Sequence, residues 1–60
     1  MTELEVREVF RKIANGERRH GGFLTKFAEA LMLADEFNFK ILQPSAERLV
    51  EKYHIAEYAK

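Results

Sequence analysis

The strongest hydrophobic signal in the chain is the run Phe23-Leu24-Thr25-Lys26-Phe27-Ala28-Glu29-Ala30-Leu31-Met32-Leu33-Ala34, in which nine of twelve residues are apolar. Wound at 100° per residue, its three polar members Thr25, Lys26 and Glu29 share one narrow sector, and nearly all the rest of the circumference is oily. A helix of that kind is expected in the middle of a protein, wrapped by the others, with Phe23, Phe27, Ala30, Leu31 and Ala34 defining its central face and Leu24 and Ala28 flanking. Upstream, Val6, Val9, Phe10 and Ile13 recur at i, i+3, i+4 and i+7 and make one clean stripe. Downstream, Phe39, Leu42, Ala46, Leu49, Val50 and Tyr53 fall in one sector about 100° wide at helical spacing. No stretch alternates with period two, and no Asn-Gly turn is flanked by β-branched runs, so a sheet is not expected. The pattern predicts an all-α, compact three-helix domain over residues 1–60, with helices at about 3–14, 22–34 and 38–54.

The punctuation agrees. Thr2-x-x-Glu5 has the form of a capping box, in which each side chain serves the other residue's amide. Acids lead the first helix (Glu3, Glu5, Glu8) and bases close it (Arg11, Lys12), as the helix dipole favours. Leu4 lies off the stripe, near a fraying end. Asn15-Gly16 stops the helix, because glycine readily takes the left-handed conformation. The polar segment Glu17-Arg18-Arg19-His20-Gly21-Gly22 is a connection, and the second helix begins without an ordinary side-chain cap. Asp35-Glu36-Phe37-Asn38 reads as a short turn, with Asp35 or Asn38 capping the third helix. The phase of that helix survives Pro44, which itself faces away from the stripe. One helix kinked near Pro44 is therefore expected, ahead of two short ones. Ile55-Ala56-Glu57-Tyr58-Ala59-Lys60 has no strong pattern and is expected to extend the helix or fray.

Size and composition narrow the picture. Sixty residues make one domain of marginal stability. With no cysteine there is no disulfide and no thiolate metal site. A small secreted protein would usually carry such staples, so a cytoplasmic setting is expected. The segment Met1-Thr2-Glu3-Leu4-Glu5 is acidic where a targeting sequence would be basic. The apolar run is well short of the roughly 20 residues that span a bilayer, so no membrane partner is expected. Ten basic residues balance ten acidic ones, which lowers the expectation of a nucleic-acid partner.

The residues that stand out are apolar side chains in polar places. Leu33 falls between Lys26 and Glu29 in the polar sector of the second helix, and Met32 lies at its edge. Ile41 is off the stripe of the third helix, and Phe37 sits in the turn between the two. They read as an exposed patch that meets a partner protein or a second copy, or as residues that the third helix or the tail folds over. Arg18, Arg19 and His20, backed by Arg11, Lys12 and Lys26, are the only basic concentration. They read first as a solvated loop. An anion contact beside the glycines is the sharper alternative, although the Lys-Ser/Thr of a phosphate-binding loop is missing. His20 and His54 lack the i, i+4 spacing of a helical zinc pair, so no metal is expected. Tyr53 reads as a core residue with its hydroxyl at the rim. Ser45 has no histidine near it in sequence, and Glu47 and Glu51 read as solvated acids. Neither catalysis nor a cofactor is expected.

His20-Gly21-Gly22-Phe23-Leu24, Phe27-Ala28-Glu29-Ala30, Ala34-Asp35, Asn38-Phe39, Ile41-Leu42, Pro44 and Leu49-Val50-Glu51-Lys52-Tyr53 together resemble a family of short bacteriophage and prophage proteins of unknown function. The resemblance covers about residues 20–53 and rests mostly on glycines, core residues and a proline. It implies a context, in which small phage proteins bind a host or phage protein, and it assigns no site. The expected function is a small, non-enzymatic protein–protein interaction module, such as an accessory or inhibitor of phage origin. It would make contact through Leu33, Phe37, Ile41 and Met32, with Arg18 and Arg19 steering, and its partner is a protein of unknown identity or a second copy. The alternative is a nucleic-acid-binding helical protein that uses the basic cluster around Arg18 and Arg19.

Overall fold

Thr2 starts the first helix as its pattern requires. The Thr2 hydroxyl accepts from the Glu5 amide at 3.1 Å, and the Glu5 carboxylate accepts from the Thr2 amide at 2.8 Å. In the computed structural model, which describes residues 1–60, α1 then runs Glu3–Ala14, α2 Gly22–Leu33 and α3 Glu36–Tyr53, and a 3₁₀ turn comes after them at Ala56–Ala59. There is no strand. α1 ends at Asn15, and Gly16 comes next at φ +87°, a conformation that costs glycine least. α2 begins at Gly21 with no side-chain cap. Asp35 caps α3 by accepting from the Asn38 amide at 2.8 Å. That cap starts α3 two residues earlier than the periodicity implied, so Phe37 lies on the helix and not in a turn. α3 continues through Pro44 as one helix, with the proline ring exposed.

The helix that the others wrap is α1, not α2. Val6, Val9, Phe10 and Ile13 are all buried, and α1 packs against α2, α3 and the 3₁₀ turn. α2 and α3 lie against α1 and touch each other only sparsely. α2 contributes Leu24, Ala28 and Leu31, which share one face at i, i+4 and i+7. Phe27 reinforces that face from its edge, its ring edge-on to Phe10 at 5.5 Å. Phe23 and Ala30, expected at the centre of the buried face, are exposed. α3 contributes Phe39, Ala46 and Val50, with Leu42 and Leu49 half-buried beside them. Arg7 ties α1 to the start of α3: its guanidinium lies 3.9 Å over the Phe39 ring and bonds Glu3 at 3.1 Å and Glu36 at 3.5 Å.

The chain beyond α3 neither extends the helix nor frays. His54 takes the left-handed conformation, φ 55° and ψ 46°. Its amide donates to the Glu51 carbonyl at 3.3 Å, and the Ile55 amide donates to the Val50 carbonyl at 3.1 Å. This is a Schellman stop, and its usual apolar contact is present, because Ile55 and Val50 are both buried. The turn sends Ile55 back into the core as its eleventh buried member. Two polar ties hold the last residues of the chain. Lys12 Nζ donates to the Lys60 main-chain oxygen at 2.6 Å, and His20 Nε2 and the Tyr58 hydroxyl share a hydrogen bond of 2.9 Å. Tyr53, expected in the core, is instead exposed, its ring edge-on to His20 at 6.4 Å. The buried set is wholly apolar, and no buried side-chain polar atom lacks a partner.

Two variants test this C-terminal arrangement. Ile55→Ala is expected to cost about 2–4 kcal/mol, and to lower Tm by about 10 °C or more, while Leu4→Ala changes stability by less than about 0.5 kcal/mol. His54→Gly is expected to stabilise by about 0.5–1 kcal/mol, because it relieves the left-handed penalty. Thermal melts followed by circular dichroism read both.

Candidate functional site

Because α2 turns one face to α1 and nothing covers its opposite side, much of its oil is left outside. Leu33 points almost diametrically away from the Leu24–Ala28–Leu31 face and is 87% exposed. Phe23, further back on the outer side, is 61% exposed. α3 begins after only Ala34 and Asp35, and its first turns carry Phe37 at 73% and Ile41 at 59% exposure. Phe37 and Ile41 are four residues apart and therefore neighbours on one face. Between α2 and α3 lies an open groove of about 410 Å³, lined by Ala30, Leu33, Ala34, Asn38, Ile41 and Leu42. Only Asn38 among these is polar.

The exposure is not a product of loose packing. The radius of gyration is 10.1 Å, close to the ~10 Å of a compact 60-residue domain. The surface of 4111 Å² matches the ~4,000 Å² of a folded monomer of this mass.

The structure brings three of the four expected apolar residues together. Leu33 and Ile41 line the groove; Phe37 is outside its wall and lies one turn before Ile41 on the same face of α3. Met32 does not join them; it is half-buried and packs against the core on another side of α2. Ala30 and Ala34, which form part of the groove wall, carried no distinguishing signal in a run where almost every residue is apolar. Lys26, one turn before Ala30 on the outer side of α2, lies 3.5 Å from Glu29, whereas Lys40, 4.0 Å from Glu36, borders a separate hollow with Glu3, Gln43, Pro44 and Glu47.

The basic residues are dispersed. Arg18 and Arg19 lie on the α1–α2 connection, at the opposite end of α2 from Leu33 and about 16 Å away along the helix axis. Arg18 stacks 4.9 Å over the Tyr58 ring. Arg11 bonds Glu8 at 2.6 Å and lies 3.6 Å from Glu17. Lys12 is turned to Lys60. Arg19 borders a small hollow of about 240 Å³ with Ile13, Ala14, Gly16, His20 and Thr25. The largest hollow, about 640 Å³, is open, and Met1, Pro44, Val50 and Ala56 border it together with Glu47, Arg48, Glu51 and His54. Glu47 accepts from Gln43 at 2.9 Å where the two residues border a neighbouring hollow with Glu3, Lys40 and Pro44. No three His, Asp or Glu side chains are grouped so as to hold a metal ion. No helix is long and apolar enough to cross a membrane.

No protein family, curated protein or solved structure matches this chain. The reading of the groove therefore rests on its own geometry.

Two acids on α1 have carboxyls held below the ordinary range. Glu5 is lowered chiefly by its bond from the Thr2 amide, and Glu8 chiefly by its bond from Arg11. A carboxylate lowered on folding stabilises fully above its unfolded-state pKa, and the contribution is lost as pH falls through the lower folded value. Tm is therefore expected to hold from neutral pH down to the ordinary glutamate range and to fall as pH drops below it. A Glu5→Gln/Glu8→Gln variant starts from a lower Tm at pH 7 and shows a smaller acid-driven fall.

Proposed function

We propose that this chain is a small, non-enzymatic protein–protein interaction module whose contact face is the groove between α2 and α3. The observation that supports this most directly is the grouping of Leu33, Phe37 and Ile41, all well exposed, on regular helices above an intact core. Contiguous apolar surface of this kind on a compact domain marks a binding surface more often than not. Its form suits an apolar knob or the oily side of a helix, which seats in a groove between two helices. Leu33, Phe37 and Ile41 supply the contact, and the nearby Lys26–Glu29 pair on α2 supplies register. Arg18 and Arg19 stand too far along α2 to share that contact and act only as long-range steering charges. The resemblance of residues 20–53 to short phage proteins favours an accessory or inhibitory role toward a host or phage protein. The lack of cysteine favours a cytoplasmic one. Nucleic-acid binding has less support, since Arg11, Arg18 and Lys12 are engaged within the protein.

The Leu33→Glu/Ile41→Glu variant is expected to keep its helical circular dichroism spectrum and its Tm within a few degrees, and to lose association by at least tenfold. A variant that unfolds would show these side chains to be structural and sink the proposal. A gel shift with duplex and single-stranded probes at low salt is expected to show no retarded band. Tight retention that weakens steeply with added salt would move the function to the basic cluster.

A further inference from the structure

We propose that the occupant of this groove is a second copy of the same chain, joined about a two-fold axis through the outer side of α2 and the start of α3. The inference rests on the reading of the groove as a contact face, and it deepens that reading by naming the partner.

α2 lacks a cover on its outer side. A helix that is oily around most of its circumference is ordinarily covered on more than one side. Here only the Leu24–Ala28–Leu31 side is covered, and none of the four elements in these sixty residues covers the other. A second copy supplies a cover without any other kind of chain.

The area suits a dimer. The exposed fractions of Leu33, Phe37 and Ile41, applied to side chains of roughly 190 Å² each, amount to about 400 Å² of apolar surface. That is about a tenth of the 4111 Å² total, the share a specific interface takes of a small protein's surface. Two such faces bury about 800 Å², the size of a weak, reversible contact.

The face is also self-complementary. An isologous contact needs one patch that presents both a projection and a recess. Leu33 and Phe37 project, and the groove edged by Ala30, Ala34 and Leu42 receives. On the outer side of α2 Lys26 pairs with Glu29, and the chain carries no net charge. Two copies can therefore meet without net repulsion, and near-zero net charge favours association.

Sedimentation equilibrium of the purified chain, from about 5 µM to about 1 mM, tests this. The expected result is a mass that rises with concentration toward twice the 7.0 kDa protomer, with little dependence on salt. Leu33→Glu/Ile41→Glu is expected to stay at the protomer mass throughout with an unchanged helical spectrum. Phe37→Lys, at an independent exposed position, is expected to weaken association at least tenfold. Because the chain has no cysteine, a Leu33→Cys variant reports the geometry. It is expected to be joined copy to copy by a short bis-maleimide, while an Arg48→Cys control is not.

Protomer mass at every concentration would overturn the proposal. So would a dimer that survives both Leu33→Glu/Ile41→Glu and Phe37→Lys, or one that cross-links equally through position 48. An apolar fluorescent dye then separates the two readings. If the wild-type chain is monomeric but enhances 1-anilinonaphthalene-8-sulfonate fluorescence and the double variant does not, only the second copy is wrong. If neither chain enhances it, the groove is not a contact face at all.

Discussion

Everything in this molecule leans on the sealed stripe of α1. Val6, Val9, Phe10 and Ile13 are at most 2% exposed, and every other element is placed by what it adds to covering them. A chain of sixty residues can fully enclose only one helix, because so much of a small domain is surface. The helix enclosed is the one whose stripe is narrow and whose outer side is well charged. A narrow stripe can be covered from three directions while the charged back stays in water. Arg7, Glu8, Arg11 and Lys12 illustrate that back, each engaged in a surface pair or tie.

That arrangement has a consequence for α2. Lying against α1 takes one face of α2, and the short Ala34-Asp35 link turns the chain away into α3 before α3 can fold back over the other. The surplus apolar side chains of α2 are therefore left facing water beside the opening turns of α3. The groove and the interaction face come from the same geometric limit that makes α1 central.

The C-terminal segment completes the core where a fourth helix would stand in a larger protein. His54 accepts an unfavourable backbone conformation so that Ile55 can return to Val50, and the polar ties to Lys12 and His20 then hold the 3₁₀ turn in place. His20 and Arg18 are thereby used in holding the tail, through the Tyr58 hydroxyl and ring. The α1–α2 connection is thus a structural brace as well as a polar loop.

Local signals were enough to determine the three helices, the Thr2–Glu5 capping box, the stop at Asn15-Gly16, the continuity of α3 through Pro44 and the buried stripe of α1. Each depends on residues within a few positions of one another, and each has one physically sensible outcome. Leu33 and Ile41 stood out as out of phase with their helices, but periodicity left open whether another element folds over them, and only the packing shows both exposed. Which helix is central was not. In α2 the stripe Phe23–Phe27–Ala30–Ala34 and the stripe Leu24–Ala28–Leu31 are both apolar, and periodicity alone ranks the oilier helix as the inner one. Tertiary packing chose the second stripe, since only one face of α2 can meet α1, and left Phe23 outside with Leu33. It also decided the fate of Ile55, whose burial depends on a left-handed residue that no sequence rule for histidine would place there. The groove itself belongs wholly to the tertiary structure, because its walls come from two helices whose separation is set by their common contact with a third.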